Sequence, residues 1–165
     1  MTITLVPKLL TSERFAPFGD VIGSVVDRTA AMNAERFERF DDLCRLDMSD
    51  DGRVAVSIAR CRVATALPYR LDMVERHPLG SQAFVPLGPS RMIVVVAPPE
   101  ESVEASDLCA FVTNGRQGIN YLRGTWHMPL IAFESGQDFL IIDRAADQPN
   151  CDMHSLDEPV MLVEP

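Results

Sequence analysis

From residue 54 onward the chain is a succession of short apolar runs, cut by proline or glycine at intervals of about eight to twelve residues. Val54, Val56 and Ile58 alternate with Ala55, Ser57 and Ala59, the period of two that a strand requires. Further strand-like runs occupy 69–77, 82–86, 91–97, 108–113, 119–122, 127–134 and 138–143. Pro68, Gly80, Gly88, Pro98, Pro99, Gly115, Gly118, Gly124 and Gly136 separate them. Such a series predicts an all-β sandwich or barrel and leaves no room for βαβ units. The opening TITLVPKLL reads as a strand. TSERFAPFGDVI reads as a short helix, capped at Thr11 or Ser12 and stopped by Pro17 and Gly19. Residues 27–52 mix charges with weak periodicity and predict irregular structure, with a turn of helix near 34–39.

A chain of 165 residues can bury a core without staples, and one domain spanning 1–165 is expected. The net charge of −9 argues against a nucleic-acid partner, since phosphate binding leaves a basic footprint. No apolar run approaches the ~20 residues of a membrane helix. The first residues lack the basic and apolar regions of a secretion signal, so a cytoplasmic location is expected. Cys44, Cys61, Cys109 and Cys151 are too widely spaced for a zinc ribbon or a CxxC pair. Cys61 and Cys109 are expected to pack as small core residues, and no chemistry is assigned to any cysteine.

Scarce residues crowd into two segments, ERHPLGSQAFVPLG at 75–88 and NGRQGINYLRGTWHMPL at 114–130. Between them they hold His77, His127 and the single tryptophan, Trp126. Strand parity sends Glu75 and His77 to one face and Arg76 to the other. The layout resembles the two cupin motifs. Glu75, His77, Gln82 and Gly88 stand where the first motif has His, His, Glu and Gly, and Gly124-Thr125-Trp126-His127 matches the end of the second. Two histidines and a carboxylate suffice for a first-row metal with open positions. Gln82 is the weaker substitute, offering a neutral acceptor where the motif has a charge. His154, in an acidic and turn-like context, is expected at the surface.

ERHPLGSQAFVPL, FVTNGRQGINYLRGTWHMPL and DFLIIDR followed by NCD, together with the earlier FAPFGDVI, resemble the ureidoglycolate lyase family, formerly called ureidoglycolate hydrolase. One departure is Met128, where many relatives have a second histidine. The resemblance implies a cupin-type double-stranded β-helix, or jelly-roll barrel, with short N-terminal helices. It implies cleavage of (S)-ureidoglycolate to glyoxylate and urea in allantoin (purine) degradation. His77, His127 and Glu75 are the candidates for catalysis and for a divalent transition metal of nickel type, with no organic cofactor. Arg123, Arg144, Tyr121, Asn114 and Gln82 are the candidates for holding substrate. A histidine suits the proton transfer because its unperturbed pKa of about 6.5 is near neutrality. The only partners expected are the small-molecule substrate and a second copy in a homodimer. Amidohydrolase chemistry, a metal-dependent oxygenase and a non-catalytic small-acid binding module are the competing readings.

Overall fold

In the computed structural model, which describes residues 2–24 and 29–165, nearly every regular element is a strand. The opening segment forms two strands, β1 (Ile3–Leu5) and β2 (Lys8–Leu9), parted at Pro7, which has no N–H to give a ladder. The helix α1 (Ser12–Phe15) follows, with Thr11 as its cap: Thr11 Oγ1 accepts from the Arg14 N–H at 3.3 Å. Then come β3 (Gly19–Ile22), β4 (Thr29–Met32), β5 (Phe37–Phe40), β6 (Arg53–Arg60), β7 (Tyr69–Arg76), β8 (Gln82–Pro86) and β9 (Met92–Ala97). A 3₁₀ turn at Ala105–Asp107 precedes β10 (Cys109–Val112), β11 (Gly118–Tyr121), β12 (Trp126–His127), β13 (Ile131–Ala132), β14 (Asp138–Ala145) and β15 (Asp152–Leu162).

The larger sheet has the order β1-β15-β7-β12-β9-β10-β2, with β13 also paired to β9. The smaller sheet runs β3-β11-β8-β14-β6, and β4 and β5 form a separate hairpin. Neighbours distant in sequence, such as β1 and β15, mark the crossovers of an all-β barrel-like fold. One apolar layer lies between the sheets: Met92, Val94, Val96 and Phe111 of the larger meet Phe84, Ile119, Tyr121 and Phe139 of the smaller. A second layer covers the back of the larger sheet, where Leu71, Val74, Ile93, Val95 and Val160 pack under Val103, Ala105 and Leu108. With both faces covered, β9 is buried at every residue, which is why MIVVVA reads as an unbroken apolar run. Among the described residues, no helix is long and apolar enough to cross a membrane.

Four local expectations are corrected. The turn of helix near 34–39 is instead the tip and second strand of the β4–β5 hairpin. Asn33, Ala34 and Glu35 have φ of 54°, 55° and 63°, in the left-handed region where a right-handed helix cannot form. The rest of 29–52 includes that hairpin, while residues 27 and 28 lie outside the described residues. The run 127–134 is two short strands, because Pro129 breaks the ladder between them. His154 lies within the long strand β15, half-buried, with its ring edge-on to Trp126 at 6.0 Å. Cys109 is exposed and not a core residue, whereas Cys61 is half-buried and packs against the layer between the sheets. The strand β2 pairs with Phe111 and Val112 in the second half of β10.

Candidate active site

Register places the two cupin-like segments side by side. On β12, His127 pairs with Val96 of β9 and, on its other side, with Glu75 of β7. Val96 belongs to the layer between the sheets, and directly paired residues share a face, so His127 and Glu75 both point inward. His77 follows one residue beyond the end of β7. Nitrogens of the two rings and an oxygen of Glu75 all lie within 4.8 Å of one another.

Both imidazoles are held from behind. His77 Nδ1 lies 2.6 Å from the Asn150 carbonyl oxygen, and His127 Nδ1 lies 2.9 Å from that of Thr125. A carbonyl only accepts, so each Nδ1 carries the proton and each Nε2 presents a lone pair. Both Nε2 atoms are buried with no hydrogen-bond partner among the described residues. They converge on Glu75 Oε1, at 3.5 Å from His127 and 3.9 Å from His77, with ring centroids 5.1 Å apart. Protonation of His127 would turn the 3.5 Å approach into a charge-assisted hydrogen bond. With the ring charged, that bond is the main cause that lowers the Glu75 carboxyl below the usual carboxylate range. Partial burial opposes it, and the charges of both histidines reinforce it. The Cys151 thiol lies 3.7 Å from Glu75 Oε2, and burial, then the charge of Glu75, push it up. It therefore stays a neutral donor beside the carboxylate.

Tyr121 forms the wall opposite. Its ring comes from the smaller sheet and lies on His127, centroids 4.3 Å apart. Burial first, and then the negative charge of Glu75, raise its phenol far above the ordinary range. Gln82 is paired with Tyr121 across β8 and β11 and faces the same interior. Its Nε2 lies 3.5 Å from Asp143 Oδ2, while its Oε1 is buried without a partner among the described residues.

The other sequence candidates lie outside this group. Arg123 directs its fork at Asp47, with Nε and Nη2 at 2.9 and 2.5 Å from the two carboxylate oxygens. Arg144 is buried on the outer side of β14, donating to the carbonyls of Ser49 and Asp50 and to Gln148 Oε1. Asn114 closes its own loop by accepting from the N–H groups of Arg116 and Gln117, beyond the end of β11 opposite Tyr121. Arg76 faces away from His77, as parity predicts, and rests 4.6 Å above the Trp126 ring while pairing with Asp152. Sequence reasoning passed over Asn150, whose carbonyl anchors His77 and whose side chain accepts from the Leu79 N–H. Its only sequence signal is its place in NCD. Asp143 was passed over as well, although it ends the inward stripe Phe139–Ile141–Asp143 of β14.

A family model described as "Ureidoglycolate lyase" matches residues 2–163. The chain is 44% identical over 164 residues to a ureidoglycolate lyase of Burkholderia mallei (strain NCTC 10229), covering 99% of this chain and 94% of that one. It is 42% identical over 163 residues to a ureidoglycolate lyase of Pseudomonas syringae pv. tomato, with 98% and 94% covered. Over 145 residues it is 47% identical to one from Burkholderia cepacia, with 87% and 81% covered.

Proposed function

This chain belongs to the ureidoglycolate lyase family, and from that premise we propose that it cleaves (S)-ureidoglycolate into glyoxylate and urea. The observation that carries the mechanism is the pair of buried Nε2 lone pairs converging on one ionised carboxylate. The substrate carbon bears a hydroxyl, a carboxylate and the ureido nitrogen. His127 Nε2 takes the hydroxyl proton, and the oxygen becomes the carbonyl oxygen of glyoxylate. As the C–N bond breaks, its electron pair leaves with the ureido nitrogen, which takes up that same proton. One imidazole thus carries the proton from start to finish, so the balance needs no other reagent. Glu75 is the nearer partner of His127 and stabilises the imidazolium between the two transfers. His77 is fixed beside it by Asn150 and completes the polar wall.

The same three side chains fit a divalent transition metal of nickel type. They offer two nitrogen lone pairs and a carboxylate oxygen within 4.8 Å, with both rings anchored through Nδ1. When bound, such an ion would polarise the substrate hydroxyl or carboxylate and lower the cost of alkoxide character. No organic cofactor enters this reading.

We read residues 1–165 as one domain, cytoplasmic, acting in allantoin breakdown on a cupin scaffold. A homodimer joined through β6 suits its surface. Among the described residues that strand is paired on one side only, and Val54, Val56 and Ile58 are 48%, 66% and 63% exposed. A second copy can continue the ladder and cover these side chains about a two-fold axis. The deciding assay follows products from purified protein and (S)-ureidoglycolate. Equal amounts of urea and glyoxylate are expected. Ammonia with carbon dioxide would make the protein an amidohydrolase, oxygen uptake an oxygenase, and binding without turnover a small-acid module.

A further inference from the structure

The side of the interior facing the histidines holds a carboxylate that the proposed reaction does not use. Phe139 and Ile141 of β14 belong to or pack on the layer between the sheets, so Asp143, two residues further on, points the same way. The register Phe84–Ile141 and Ala83–Ile142 brings Asp143 beside Gln82. Gln82 in turn is paired with Tyr121, whose ring covers His127. One continuous lining therefore runs His127, Tyr121, Gln82, Asp143.

The chemistry of this corner is one-sided. Among the described residues, no cation pairs with Asp143, and its one side-chain hydrogen bond is the 3.5 Å approach of Gln82 Nε2. Because a carboxylate only accepts, Gln82 must turn its NH₂ toward it, which strands Oε1 as a buried acceptor with nothing to accept. The corner thus offers two carboxylate oxygens and an amide oxygen, against the one N–H that Gln82 has left over. A carboxylate or phosphate would be repelled there. A neutral group rich in N–H donors would satisfy it.

We infer that Asp143, assisted by Gln82, is the subsite that takes the ureido end of the substrate. The inference rests on the reading of the site as a ureidoglycolate lyase. It orients the substrate, with the NH and NH₂ donors at Asp143 and Gln82 Oε1 and the hydroxyl donating toward His127 Nε2. Specificity follows, because a ligand without those donors leaves a half-buried carboxylate and an amide oxygen unpaired.

Product inhibition separates the two ends. Urea and glyoxylate are each tested as inhibitors of (S)-ureidoglycolate cleavage by the wild type and by Asp143→Asn, which keeps the shape and converts one acceptor to a donor. The inhibition constant for urea is expected to rise at least about tenfold, with KM rising alongside. That for glyoxylate should stay within about twofold. Gln82→Met, which removes Oε1, should show the same selectivity with a smaller change and serves if Asp143→Asn does not fold. Equal weakening of both inhibitors, or of neither, overturns the inference and leaves the lyase reading standing. A wild type that releases no urea overturns both.

Discussion

The rings of Tyr121 and His127 lie face to face across the two sheets, centroids 4.3 Å apart and planes within 16° of parallel. The contact fixes the imidazole plane from the front while Thr125 fixes it from behind, so its Nε2 has one direction to point. It also keeps one face of the reacting ring dry.

That burial makes Tyr121 a source of alkaline instability. Its phenol is raised in the folded protein, so above about pH 10 the unfolded chain loses a proton that the native state keeps. Stability must then fall with rising pH. In Tyr121→Phe this component disappears, and the melting temperature should decline less steeply between about pH 9 and 11 than in the wild type. Parallel curves would refute it.

His127→Ala should reduce kcat/KM for urea release by about 10²–10⁴-fold, the usual worth of a positioned acid–base group. Steady-state kinetics check this directly. Retention of wild-type kcat/KM would remove His127 from the proton path.

Metal content is an independent readout. Wild-type protein equilibrated with nickel ions and desalted is expected to retain about one ion per chain by elemental analysis. His77→Ala and Glu75→Gln should each retain far less. Full turnover after exhaustive chelation, with no metal in the sample, would retire the metal from the mechanism.

Gly19 tests the packing of β3 on β11. A Cβ built there would lie 1.9 Å from the Asn120 carbonyl oxygen, closer than backbone atoms tolerate. Gly19→Ala should therefore cost about 1–3 kcal/mol, the range for an overpacked site, and lower the melting temperature by several degrees. An unchanged melting temperature would mean that the two strands part at little cost.

The β6 surface makes a prediction about assembly. Val56→Glu combined with Ile58→Glu places two charges on the exposed apolar row, and sedimentation should then report monomers where the wild type gives dimers. A wild type that sediments as a monomer would rule out the dimer.

Much of this was legible because strands write themselves in parity. That Glu75 and Arg76 point to opposite faces followed from counting by two, and Thr11 announced α1 by its hydroxyl. The two histidines could be paired because the cupin-like spacing fixed which strands carry them. The arginines could not be read the same way. Whether Arg123 is free depends on Asp47, a residue 76 positions away that no local pattern links to it. Arg144 and Asp143 are adjacent in sequence, but only the register with β8 reveals which of them faces the interior. The hairpin at 29–40 was missed because Asn33, Ala34 and Glu35 turn through left-handed conformations without a glycine to signal it.

The parallel pairing of β1 with β15 joins residues 3–5 to residues 160–162. During synthesis the first strand therefore waits, unpartnered, until residues 160–162 have left the ribosome. The larger sheet cannot be completed a segment at a time, and a chain interrupted before residue 160 leaves Leu71 without its cross-strand mate Val160. Premature termination should accordingly yield species that chaperones and proteases handle, not a shortened enzyme.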